Sequence, residues 1–356
     1  MLGGFSIFIS VIGALLNLPL SAYLVGYLII LFFMPFVIKR TFIFRLSWFR
    51  VLIWMFVFYA LYSLKYSISQ IASYEKSINI IYSIVIPIFI IEMVAGWYNN
   101  FSLRVLSVER SLFFLAKLFI LFSFLLFIMG FVVNYEPGRY GLVGMMNPIW
   151  ASRIFACLSL WVSYDYFILK RYCISSFILI MMGLFLVYKT GSNGPLLSFF
   201  VCMVVLFKDR LDFGKVVLLM ISVILFIVAF ICGERGADAS IYSYIGRMDM
   251  VEFVSGFSLD NIWIGSGIGS FGLLYLDVDE VYYPHNILLE TYMELGVIGL
   301  ILLVFIILFF FIKSKLNYLT IATGFYFINS LFSGDFVGNN FLFVFLYLSS
   351  FISKKM

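Results

Sequence analysis

The chain has little charge, a single histidine and only four cysteines among its 356 residues. Charged residues make up 12% of the sequence and apolar residues 64%, whereas a soluble domain is about a quarter charged and about half apolar. One globular core cannot bury so many apolar side chains, so the composition excludes an ordinary soluble protein. The cysteines stand in or beside apolar runs at no metal-ligand spacing, which favours small buried residues over disulfides or zinc ligands. They are Cys157, Cys173, Cys202 and Cys232.

Long apolar runs dominate the sequence, and the mean hydropathy is +1.12. The runs are continuous, which is typical of transmembrane helices, whereas the strands of a membrane β-barrel would alternate. The sequence therefore predicts an all-α, polytopic transmembrane bundle of about twelve spans, forming a single integral membrane domain over 1–356. The expected spans are 4–18, 20–38, 48–68, 78–97, 111–133, 148–168, 174–189, 195–208, 215–232, 284–312, 317–334 and 338–352. No cleavable signal peptide is expected, because the first residues lack a basic region.

Basic residues recur in alternate connections, and this pattern predicts the orientation of the chain. In a twelve-span chain they fall on one side together with both termini, and that side is expected to be the cytoplasm. The basic groups lie at 39–50, 104–110, 170–171, 208–215, 313–315 and 354–355. Topology thus explains the net charge of +5, which gives no support for nucleic-acid binding.

The other side carries three informative loops, at 134–147, 189–195 and 233–283. The last is the longest, and long connections in compact proteins are usually functional. Within it, apolar residues of the segment 241–257 recur at helical spacing. We therefore expect an amphipathic helix that lies on the outer membrane surface, packs on top of the bundle, or does both.

Four arginines on the outer side depart from the charge pattern: Arg139, Arg153, Arg235 and Arg247. Asn147-Pro148 has the form of an N-cap followed by the first residue of a helix. Arg153 would then lie about one and a half turns inside that span. It could extend to the lipid headgroups or face a polar cavity between helices.

The only histidine, His285, follows a proline at the expected start of a long span. Asn286, Glu290 and Glu294 repeat every four residues after it and share one helix face. Carboxylates inside a membrane are rare and normally face a cavity in the protein. A lone histidine at a helix start is often only a cap or an interfacial residue, but the carboxylates beneath it favour a catalytic role.

These residue types suit one kind of reaction. Arginine binds phosphate through two hydrogen bonds and stays charged. A neutral histidine can remove a proton from a hydroxyl, and a carboxylate can orient that histidine. Tyr140, Tyr282 and Tyr283 add flat rings and hydroxyls that suit sugars. The outer side therefore favours a hydroxyl nucleophile and an anionic leaving group.

Two further motifs carry little weight. The segment 267–272, GIGSFG, fits G-x-G-x-x-G but has no βαβ context, so its glycines more simply allow a tight turn. Asp277-Val278-Asp279 resembles a metal-binding D-x-D motif of enzymes that use nucleotide sugars. Those substrates are cytosolic and this loop is not, so a solvated acidic loop is the simpler interpretation and no metal site is predicted.

Four segments in this order resemble the O-antigen polymerase and O-antigen ligase superfamily of bacterial membrane glycosyltransferases. They are GRYGLVGMMNPIWASR from Arg139, TGSNGPLLSF from Thr190, GRMDMVEF with NIWIGSGIGSFG in the long loop, and HNILLETYMELGVIGL from His285. The resemblance covers about 139–300 by its motifs, and the expected topology fits the whole chain. One departure is Ser192-Asn193, where the family usually has Ser-Arg.

The resemblance implies a helical glycosyltransferase of the GT-C type in the bacterial inner membrane, with its active site on the periplasmic side. It implies an undecaprenyl-pyrophosphate-linked donor and acceptor, membrane lipids and a chain-length regulator protein as partners, and no cofactor. Arg139 and Arg247 would contact the pyrophosphate, His285 would be the base and Glu290 would support it. Arg153, Arg235, Tyr140 and Asn286 are further substrate-binding candidates.

Two alternatives stay open beside a polymerase. A ligase of the same superfamily would deliver a finished glycan to lipid A core. A transporter or lipid flippase would place its polar site near the middle of the membrane, often at broken helices.

Overall fold

The computed structural model describes residues 47–97, 101–136, 139–142, 147–171, 173–207, 220, 224, 236–257 and 261–352. The structure is mostly helical. It divides into two compact units, one formed by Met1–Ile43 with Val94–Ile241 and the other by Phe44–Met93 with Tyr242–Met356. We call these the first and the second unit.

The helices among the described residues are numbered in chain order. They are α1 (Trp48–Tyr62), α2 (Ile71–Ile80), α3 (Ile86–Trp97), α4 (Phe101–Ile128), α5 (Pro148–Phe167), α6 (Ile174–Lys189), α7 (Asn193–Phe207), α8 (Gly236–Gly256), α9 (Phe271–Leu276), α10 (Ile287–Lys313), α11 (Tyr318–Ser330) and α12 (Asn340–Ile352). A 3₁₀ turn, Ser63–Lys65, follows α1, and a π-helical segment, Ile81–Val85, joins α2 to α3.

Four helices among the described residues are long and apolar enough to cross a membrane: Trp48–Lys65, Ile71–Met93, Glu109–Ile128 and Ile287–Lys313. Helices also occupy five further predicted spans, those at 148–168, 174–189, 195–208, 317–334 and 338–352. The predicted spans at 4–18, 20–38 and nearly all of 215–232 lie outside the described residues.

One predicted boundary differs clearly from the structure, namely the start of the span expected at 78–97. The helix begins at Ile71, seven residues earlier than predicted. The prediction missed these residues because Ser73, Glu75 and Lys76 make the first two turns polar. The π-helical segment lies just before Pro87, whose missing N–H removes one helical hydrogen bond.

In the first unit, α5 is the central helix and packs against α4, α6 and α7. Asn147 caps it, since its side chain accepts a hydrogen bond from the N–H of Ile149 at 3.0 Å, and Pro148 is its first residue. The predicted cap is therefore confirmed.

An antiparallel hairpin, β1 (Val132–Glu136) and β2 (Arg139–Leu142), occupies part of the loop predicted at 134–147. It adds two strands to a chain for which the sequence predicted only helices. Strand β2 contacts α4, α5 and α6, so the hairpin packs on this unit's helices.

In the second unit, α1 packs against α10 and α12, and α11 packs against α12. Aromatic rings fill the contacts: Phe49 stacks on Phe310, and Phe56 stacks on Phe343. Phe56 also contacts Phe336, whose ring centre lies 5.4 Å from the Nζ of Lys76 in the charged cluster described below.

Candidate functional site

His285 lies immediately before α10 in an unusual backbone conformation. Its φ is +55°, a left-handed value that costs energy for a residue with a Cβ and persists only where the surroundings hold it. Pro284 before it is buried, and the Tyr283 ring contacts the imidazole edge-on at 4.8 Å between centroids. The imidazole is therefore held in one place at the head of the helix.

Asn286, the next residue, is the N-cap of α10. Its Oδ1 accepts hydrogen bonds from the N–H groups of Leu288 and Leu289 at 2.9 and 3.3 Å. The predicted substrate-binding residue thus has its oxygen occupied in capping, and only its NH₂ group remains for a ligand.

Glu290 and Glu294 do lie on one face of α10, as the sequence predicted, and they share a cation that the sequence analysis missed. Lys76, on α2, donates to Glu290 and to both carboxylate oxygens of Glu294, the latter at 2.7 and 2.8 Å. All three side chains are 0% exposed. The N–H of Phe336 also donates to Glu290, at 3.4 Å. The described hydrogen bonds of the Glu290 carboxylate therefore come from Lys76 and Phe336.

A break in α10 lies directly after this cluster. Gly296 has φ +66°, outside the helical region, and the segment 261–269 packs into the gap. The N–H of Gly267 donates to the carbonyl of Glu294 at 2.8 Å. A Cβ on Gly265 would lie 2.5 Å from the Gly296 nitrogen, so only glycine allows this approach. Gly267 and Gly269 also have positive φ, so the tight turn predicted from the glycines of 267–272 is confirmed.

Arg247 lies on α8, which is helical as predicted for the long loop. Three and seven residues further on, Met250 and Val254 are buried against Phe271 and Met293. The helix carrying Arg247 therefore packs on α9 and α10, inside the second unit.

Aromatic rings extend from this core to the histidine. Phe271 stacks on Tyr282, Tyr282 contacts Tyr283, and Tyr283 contacts His285. The core beneath Arg247 and the head of α10 thus form one packed structure.

Most of the predicted apolar stripe of α8 faces outward, but Val254, its last member, packs inward beside Met250. Tyr244, Ile245, Met248 and Val251 are all exposed. An exposed apolar stripe on a helix of a membrane protein is typical of contact with lipid.

In the first unit, Arg139 and Tyr140 lie on strand β2. The Nζ of Lys189, at the end of α6, lies 5.4 Å from the centre of the Tyr140 ring. Lys189 is a second cation that the sequence analysis did not single out, although it begins the turn at 189–195.

Arg153 lies on α5 and is 2% exposed. Its guanidinium carbon lies 5.7 Å from the centre of the Trp150 ring. Because protein surrounds it, Arg153 faces the helix bundle rather than the lipid headgroups. A polar cavity around Arg153 stays a prediction.

Arg235 lies outside the described residues. Arg139 and Arg153 belong to the first unit, and Arg247 and His285 belong to the second. The convergence of all these residues in one cavity stays a prediction.

Asp279, in the acidic loop, caps α2. Its carboxylate accepts hydrogen bonds from the Ser69 hydroxyl and from the N–H groups of Gln70, Ile71 and Ala72, the last three at 3.1 Å. The Ser69 hydrogen bond, followed by those of Ile71 and Ala72, lowers the pKa of Asp279 to about 2. Asp279 therefore caps α2, whereas the sequence predicted only a solvated acidic loop here.

No group of three or more metal-ligating side chains occurs within the part of the chain that the structure describes. Searches for similar proteins found no matching family model, no matching curated protein and no matching solved structure.

Proposed function

We propose that this protein is a membrane glycosyltransferase that polymerises O-antigen or a similar surface polysaccharide. It transfers a growing glycan from undecaprenyl pyrophosphate to the non-reducing-end hydroxyl of another lipid-linked repeat unit. The proposal joins the sequence resemblance to the geometry at the head of α10.

The observation that carries the proposal is the setting of His285. A strained backbone, an edge-on tyrosine and a capped helix start all hold this one imidazole in place. Strained conformations cluster at active sites, where they fix a reactive group before the substrate arrives. A residue that only capped the helix would not need this geometry, because Asn286 already caps α10.

In the proposed step, His285 accepts the proton of the acceptor hydroxyl. The acceptor oxygen then forms a bond to the anomeric carbon of the donor sugar, and the bond from that carbon to the pyrophosphate oxygen breaks. The electron pair leaves with the pyrophosphate. Arg139 and Arg247 stabilise the charge that develops there, with Arg153, Arg235 and Tyr140 as further contacts.

Glu290 enters this scheme as a positioning residue. Its hydrogen bond to Lys76 ties the first turns of α10 to α2, and His285 precedes α10 by two residues. The proposed architecture is a GT-C-like bundle of about twelve spans in the inner membrane, with cytoplasmic termini and a periplasmic active site.

The test uses cells that lack this gene and accumulate lipid-linked repeat units. The wild-type gene should restore a ladder of lipid-linked polymer, and His285→Ala should abolish it at unchanged protein abundance. Tyr242→Ala, which removes an exposed ring on α8, should retain the ladder. A normal ladder from His285→Ala would show that the base assignment is wrong. Transfer to lipid A core without a ladder would indicate the ligase instead.

A transporter remains the second candidate, and one observation favours it. A fully buried Lys76–Glu290–Glu294 cluster lies beside a broken helix, an arrangement that many transporters use at their substrate or ion sites. Lys76→Met combined with Glu290→Gln and Glu294→Gln removes every charge of the cluster and keeps its volume. A transporter that uses these charges should lose transport into proteoliposomes in this variant and keep it in His285→Ala, whereas an enzyme should lose polymerisation in His285→Ala.

A further inference from the structure

A second charged site lies in the first unit and contains none of the residues of the proposed transfer reaction. A cavity of about 390 Å³ lies beside α4. Its wall combines three cations, one carboxylate and two phenyl rings. The lining residues are Arg110, Phe113, Phe114, Lys117, Asp165 and Arg171.

The cations of this wall outnumber the anions. Asp165 is buried and accepts hydrogen bonds from Lys117 at 2.7 Å and from Arg171 at 3.0 Å. One carboxylate cannot neutralise three cations, and the neighbouring Glu109, which interacts electrostatically with Arg110 and Arg171, still leaves one positive charge in excess. Lysine has three donors and arginine five, so most N–H groups here remain for an anion.

The depth of the cavity indicates the kind of anion. The apolar run expected from the sequence at 111–133 begins within α4, so Arg110 stands just before its edge and Lys117 about 10 Å further along the axis. The edge of an apolar span is the level of lipid phosphates. Basic pockets between helices at this level are known to hold phosphate headgroups.

A row of exposed apolar side chains continues from the cavity along α4. Phe114, Leu118, Leu121, Phe122 and Leu125 recur at helical spacing and are all exposed. An acyl chain attached to a phosphate in the cavity would cover this row, whereas a free phosphate ion would leave it uncovered.

We propose that this cavity binds the phosphate group of an anionic membrane lipid, with one acyl chain along the exposed row of α4. Arginine and lysine at the rim bind the phosphate oxygens, and Asp165 holds Lys117 and Arg171 in position. The inference does not depend on the proposed glycosyl transfer.

The experiment measures lipid retained by the full-length protein in detergent, using native mass spectrometry and a titration with phosphatidylglycerol. Phosphatidylcholine with the same acyl chains is the zwitterionic comparison. Wild-type protein should retain phosphatidylglycerol in preference to phosphatidylcholine. Arg110→Ala should weaken this retention about fivefold, the effect of one cation near a lipid headgroup. The Arg110 side chain is exposed, so the variant should fold.

Lys315→Ala is the matched control, because it removes one exposed cation outside the cavity. It should bind phosphatidylglycerol as the wild type does. Equal retention of the two lipids, or an unchanged Arg110→Ala variant, would overturn the proposal. Displacement of phosphatidylglycerol by millimolar inorganic phosphate would overturn the lipid assignment and identify a free-phosphate site.

Discussion

The two units each contain a three-member ion cluster, and the compositions of the two clusters are opposite. In the second unit one cation, Lys76, lies between two carboxylates, and all three side chains are 0% exposed. In the first unit one carboxylate, Asp165, lies between Lys117 and Arg171, which are 25% and 39% exposed. A fully buried charge must find its partner inside the protein, whereas a half-exposed cation can also bind a ligand. The first kind of cluster fixes the fold, and the second kind is suited to recognition.

The largest effect should follow from breaking the buried cluster at its centre. Lys76→Met leaves two buried carboxylates on one helix face without their cation. Removing one partner of a buried ion pair costs about 3–5 kcal/mol. We expect a steep loss of the folded fraction, measured as the unfolding midpoint of the detergent-solubilised protein.

The control for this prediction removes the carboxylates together with the lysine. Lys76→Met with Glu290→Gln and Glu294→Gln removes all three charges of the cluster, and buried Asp335, which interacts electrostatically with each of them, stays as the charged neighbour. Neutral replacements of similar volume are often tolerated. This triple variant should recover most of the lost stability. If it is as unstable as Lys76→Met, packing rather than charge determines the loss.

A smaller effect is expected when the half-exposed cluster is broken. Asp165→Asn removes the charge that Lys117 and Arg171 share, but water can solvate both cations. The cost should be about 1–2 kcal/mol in the free energy of unfolding. The measurement is the same unfolding midpoint, compared at low and at high salt.

Salt should separate the two clusters. Salt screens exposed charges far more than buried ones. The effect of Asp165→Asn should therefore shrink at 1 M NaCl, and the effect of Lys76→Met should not. An equal salt response of the two variants would contradict the contrast between the clusters.

The smallest effect concerns the half-buried cap at Asp279. The native hydrogen bonds lower its pKa from 3.8 to about 2, so its contribution to stability is complete above pH 4 and is lost as the pH falls toward 2. Asp279→Asn should be less stable than the wild type at pH 6. The two proteins should become equally stable near pH 2, as measured by their unfolding midpoints.

The sequence was informative where local signals define a structure. The start of α5 follows from Asn147-Pro148, and the face shared by Glu290 and Glu294 follows from helical spacing. The tight turn predicted from the glycines of 267–272 is also present. Gly267 and Gly269 have positive φ there, and a Cβ at either position would meet backbone atoms.

What the sequence missed depends on contacts between distant segments. Lys76 lies 214 residues before Glu290, within a polar stretch that hydropathy placed outside the span. One signal was available, because two carboxylates in a membrane helix require a buried cation. Asp279 likewise caps a helix 208 residues earlier, and no local pattern in its loop announces that role.

The proposed active site requires cations of both units to meet His285 in one cavity, which stays a prediction. Cross-linking tests it in a chain whose four cysteines are replaced by serine. Arg139→Cys with His285→Cys should form a cross-link through a short bifunctional maleimide. Arg139→Cys with Lys315→Cys, expected on opposite sides of the membrane, should not. A well-folded Arg139→Cys/His285→Cys protein that forms no cross-link would contradict the proposed active site.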